Sequence, residues 1–75
     1  MRKNICVIAK MNEDGVISPL SFFWNGEQFA VQKVLERRKA ASLKGGGTGI
    51  RFKCEINQKT HFMWLDGYTW FVEVD

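Results

Sequence analysis

Apolar residues recur at every second position along much of this chain, the period expected of strands with one dry and one wet face. The cleanest segment has Ile50, Phe52, Cys54 and Ile56 alternating with Arg51, Lys53, Glu55 and Asn57. Asn4 to Lys10 carries β-branched Ile5, Val7 and Ile8 and gives way to turn chemistry at Asn12-Glu13-Asp14-Gly15. Val16 to Trp24 resumes an extended pattern with Leu20, Phe22 and Trp24 on one face. Pro19, which cannot donate to a ladder, suggests an edge or a strand start there. Asn25-Gly26 follows, and both residues tolerate the positive φ of a type I′ hairpin turn. Thr60 to Leu65, the dipeptide Asp66-Gly67, and Tyr68 to Val74 with Trp70, Val72 and Val74 in phase predict a second tight hairpin.

The segment from Glu27 to Ala41 reads two ways. Phe29, Val31 and Leu35 fit one face of a strand, whereas Val31, Val34, Leu35 and Arg38 fit a helical stripe capped by Gly45. The Asn-Gly turn and the weak N-cap favour a strand to about Leu35, with a short helical turn possible from Glu36 to Leu43. Lys44 to Gly49, two-thirds glycine, predicts a loop. The pattern therefore predicts a mainly β fold of about six strands, a small antiparallel meander that twist curls into an SH3-like or OB-like barrel. A β-β-α-β-β arrangement is the alternative. Phe22, Trp24, Val31, Ile50, Phe52, Cys54, Trp70 and Val72 are the expected core.

Seventy-five residues can build one core, so residues 1–75 form one domain. A 45% hydrophobic and 13% aromatic composition argues against intrinsic disorder. No apolar run approaches the ~20 residues of a membrane span, and the start is too short and interrupted for a signal peptide, which makes the cytoplasm the expected compartment. Two cysteines, Cys6 and Cys54, fall short of a disulfide framework and predict reduced core thiols. With His61 they lack metal-ligand spacing, so neither a metal nor a cofactor is implied. A single histidine without a partnered nucleophile or acid gives no basis for an enzyme.

Charge changes the picture more. Between Lys33 and Lys53 lie seven Lys or Arg against Glu36 alone, a local +6 in a chain whose net charge is +3. Arg37, Arg38, Lys39 and Lys44, with Arg51 and Lys53 on the returning arm, would form a basic hairpin suited to phosphate backbones. Phe23 and Phe71, out of phase with their core-facing neighbours, are candidate base-stacking rings. The Gly-rich loop lacks the Lys-Ser or Lys-Thr of a P-loop.

With Phe23-Trp24-Asn25-Gly26, Val31-x-x-Val34-Leu35, Ile50-Arg51-Phe52 and Trp70-Phe71-Val72-Glu73, the chain resembles, over about residues 20–74, short uncharacterised bacterial proteins sharing a Trp-x-Gly, Val-x-x-Val-Leu and Trp-Phe pattern. It is also similar, more faintly, to the small C-terminal β domain of some proteins related to Y-family DNA polymerases, which implies a DNA-repair context. Neither resemblance transfers a catalytic residue. The expectation is a non-enzymatic binding module for nucleic acid, with a protein-interaction module, docking a partner at a sheet edge or exposed aromatics, as the alternative.

Overall fold

A computed structural model describes residues 1–42 and 48–74. It is all β, with seven antiparallel strands: β1 (Arg2–Met11), β2 (Ile17–Trp24), β3 (Glu27–Ala30), β4 (Lys33–Ala41), β5 (Thr48–Ile56), β6 (Lys59–Asp66) and β7 (Thr69–Glu73). They form one sheet in the order β3-β2-β1-β7-β6-β5-β4, curled into a half-barrel. Two meanders, β1–β3 and β4–β7, are joined where β1 pairs with β7. The edge strands β3 and β4 are consecutive in the chain. Val31 N donates to Leu20 O at 2.9 Å, completing the first meander, and Gln32 N donates to Glu55 O at 2.9 Å, starting the second.

That corner corrects the reading of Glu27 to Leu35 as one strand: the extended run breaks at Val31-Gln32, and β4 continues without helix to Ala41. The helical stripe loses because every residue of β4 except Leu35 has a register partner on β5, from Lys33↔Glu55 to Ala41↔Thr48. The predicted loop gives up Thr48 and Gly49 to β5, and residues 44–47 lie outside the described residues.

The turns follow the dipeptides. Asn25 and Gly26 have φ of 50° and 81°, the type I′ pattern, and Gly67 has φ of 62° at the first turn position after Asp66. Bulges between Ile8 and Ala9 and between Val34 and Glu36 add local twist and bend the sheet toward closure. Pro19 lies inside β2, in the half that β3 does not cover, where a missing N–H breaks no ladder on that side.

The core lies on the inner face. Phe52, Cys54, Ile56, Met63 and Trp70 are buried there, with Ile5, Val7, Phe22, Phe29, Val31, Val34, Ile50, Leu65 and Val72 packed around them. Phe52 meets Trp70 with ring centres 5.2 Å apart. Of the expected core, Trp24 is half-buried and stands outside this cluster; Leu20, read as sharing the face of Phe22 and Trp24, is exposed because the β1–β2 register slips beside it. Cys6 is exposed, correcting its reading as a core thiol: β1 turns Ile5 and Val7 inward, and Cys6 takes the other face.

Candidate nucleic-acid interface on the outer face

The basic arms do pair as a hairpin, with Arg37↔Phe52, Arg38↔Arg51, Lys39↔Ile50 and Glu36↔Lys53 in register. Strand alternation then divides the cations. Phe52 faces the core, so Arg37 and Lys39 share its side of the pleat, and the Arg37 guanidinium comes within 5.8 Å of the Phe52 ring. Arg38, Arg51 and Lys53 take the outer face. Lys44 lies outside the described residues.

β6 supplies the neighbours on that face. Lys53 stands opposite Phe62 and Arg51 opposite Trp64, and the Arg51 guanidinium lies 4.7 Å above the Phe62 ring. Phe62 is 40% exposed. It is a ring that sequence reasoning missed, although its two-residue spacing from Trp64 and its offset from Met63 and Leu65 carried the signal.

The charges here are not balanced pair by pair. Arg38 and Arg51 sit directly across from one another, an arrangement that disfavours folding by roughly 0.2–1 kcal/mol when both are cationic. Glu36 relieves Arg51 alone, its Oε1 lying 3.2 Å from Nη2. Among the described residues Arg38 and Lys53 pair with no carboxylate. Arg51 Nε and Trp64 Nε1, on paired residues, are buried with no acceptor among the described residues, at a cost of about 1–3 kcal/mol for each orphaned donor.

Phe71 departs from expectation. It is on the outer face, as its phase requires, but it is 0% exposed and cannot receive a base. It stacks on Trp64 with ring centres 5.6 Å apart and planes within 8°. The Arg2 guanidinium covers it at 3.9 Å and reaches Asp66 at 3.6 Å. Nearby, buried Ser42 donates from Oγ to Glu73 Oε2 at 2.8 Å, drawing the end of β4 toward β7. Trp64 and Phe71 thus form a small second core on the face opposite the main one.

Phe23 is 37% exposed, but on β2, and three strands separate it from β5 in the sheet order. At about 4.8 Å per strand it is too remote to share one nucleotide with Arg51. Its neighbours are Cys6 and Gln28, not cations. The structure therefore brings together Arg38, Arg51 and Lys53 with Phe62, places Arg37, Lys39 and Phe23 elsewhere, and buries Phe71 beside Trp64 on the same face. No protein-family model, curated protein or solved structure matches the chain.

Proposed function

We propose that the protein is a non-enzymatic module that binds single-stranded nucleic acid across the outer face of β4, β5 and β6. The observation that carries this reading is the half-exposed Phe62 ring flanked by Arg51 and Lys53, beside an Arg38 that no carboxylate neutralises among the described residues. A ring of this kind stacks on an unpaired base, for about 1–3 kcal/mol, and cannot reach one inside a duplex. Phosphates threading between Arg38 and Arg51 would remove the repulsion between them, so folding cost is recovered on binding.

Fluorescence anisotropy with labelled oligonucleotides at low and physiological salt tests the reading. Reversing Arg38 and Lys53 together to Glu should weaken binding about tenfold or more for every sequence and flatten the salt slope, while Lys59→Glu, at the far end of β6, should change it little. Phe62→Ala should lose affinity while the salt slope stays as it was. Binding that is absent, indifferent to salt or unchanged in the Arg38/Lys53 variant would refute this function.

A second reading has its own observation. Cys6, Ile8 and Phe23 are all exposed on neighbouring strands β1 and β2, an uncharged apolar strip that a protein partner could cover. A nuclease-insensitive complex lost on Phe23→Ser would favour it.

A further inference from the structure

The inner face is not filled along its whole length. β6 and β7 are paired only from Trp64↔Phe71 to Asp66↔Thr69. Beyond Phe71, β7 continues alongside β1 through Lys3↔Val72 and Arg2↔Glu73, while the first half of β6 stays with β5 through Lys53↔Phe62 and Cys54↔His61. The two strands part, and a cavity of about 630 Å³ opens at the parting, reaching across the barrel interior to β2 and β3. Small barrels ordinarily fill this space with side chains. Here Phe22, Trp24 and Phe29 line one side and Ile56, Met63 and Val72 the other, with Asn57, Thr60 and His61 beside them, and Phe62 and Trp64 of the outer face also reach the lining where β6 and β7 part.

The aromatic wall is ordered. Phe22 and Phe29 stack with centres 5.5 Å apart, and the Lys3 ammonium lies 4.3 Å above the Trp24 ring. Lys3 is exposed and pairs with no carboxylate among the described residues. Glu73, which also lines the cavity, has its Oε2 engaged by Ser42. Volume and lining match those of small-ligand sites, which are mostly apolar with a few polar groups that orient the guest. The Lys3 ammonium over the indole offers a counter-charge to an anionic group on the guest at the Trp24 end of the cavity.

We propose that this cavity binds a small planar aromatic molecule bearing an anionic group, its ring against Phe22, Trp24 and Phe29 and its charge at Lys3. The cavity shares Phe62 and Trp64 with the outer face but none of Arg38, Arg51 and Lys53, so Lys3→Gln, which leaves that cationic patch intact, lets the two readings fail independently. The probes are 8-anilinonaphthalene-1-sulfonate and its neutral counterpart N-phenyl-1-naphthylamine, titrated into the full chain with fluorescence and amide-shift mapping. Expected are saturation at one sulfonate per chain, shifts over residues 22–29, 56–64 and 72–74, and about a tenfold loss of sulfonate affinity in Lys3→Gln with the neutral probe unchanged. Adenosine monophosphate and indole-3-carboxylate compete as representatives of the two sources of such a ligand: displacement by the first points to a nucleotide, by the second alone to an aromatic acid. Displacement by neither, non-saturating binding, shifts confined to other residues, or Lys3→Gln affecting both probes alike would overturn the proposal. Trp24→Phe, which keeps an aromatic wall, should retain the sulfonate, and its loss there would count equally against the assignment.

Discussion

Phe52 and Cys54 show how much a single position in β5 carries. Both are 0% exposed, and Phe52 joins the core of the second meander through Trp70. Phe52→Ala removes that contact and leaves a hole that surrounding strands can only partly close, so urea unfolding should show a loss of about 3–5 kcal/mol. Burial also pushes the Cys54 thiol up from its ordinary value of 9.0 to about 11, because the interior disfavours the thiolate. The folded state therefore holds this proton more tightly than the unfolded chain does. The resulting stabilisation is complete below about pH 9 and disappears as pH rises through 11. Cys54→Ala is expected to be less stable than the parent at pH 8, and the gap should narrow steadily between pH 9 and 11 in parallel urea titrations. A gap that stays constant would mean that the thiol titrates as if exposed.

Among the elements, the hairpins were the part most legible in the sequence. Asn25-Gly26 and the glycine of Asp66-Gly67 announce their turns because Gly and Asn accept the positive φ those turns require. The β5–β6 turn did not announce itself: Asn57 and Gln58 adopt φ of 51° and 65° without a glycine. Gln58 is held there from outside, its backbone N donating to Gln32 Oε1 at 3.0 Å across the β3–β4 corner. Gln58→Gly relieves the side-chain strain while keeping that N–H, and should raise stability by roughly 0.5–1 kcal/mol by thermal unfolding. A destabilised variant would show that the Gln58 side chain contributes more than its backbone strain takes away. The corner itself was hidden because Glu27 to Ala41 has one hydrophobic rhythm across two strands that lie at opposite edges of the sheet.

Alternation likewise told that Phe71 and Trp70 point opposite ways, but not that both ways lead to burial. Wetness is a property of what covers a face, and Arg2, some seventy positions earlier, covers this one. The same limit explains why Phe62 escaped notice. Its phase was readable, while its two cationic neighbours come from register that only the folded sheet establishes.

For the molecule as a whole, the strand order has a kinetic consequence. Every pairing but one joins neighbours in sequence, and such hairpins close over short loops within microseconds. The exception is the seam between β1 and β7, where Ile5 meets Trp70 across 64 intervening positions. Bringing those ends together carries most of the loop-closure entropy, which grows with the logarithm of loop length and must be met before the contacts return anything. The seam should therefore be largely formed at the folding barrier. Ile5→Val, which removes one methyl group at a cost of about 0.5–1.5 kcal/mol, should slow refolding by nearly the whole of that amount in stopped-flow chevrons and leave unfolding almost untouched. Val34→Ala, which truncates a side chain on the outermost strand of the second meander, should instead accelerate unfolding. If Ile5→Val acts only on the unfolding arm, the meanders dock after the barrier, and the slow step is the assembly of one meander alone.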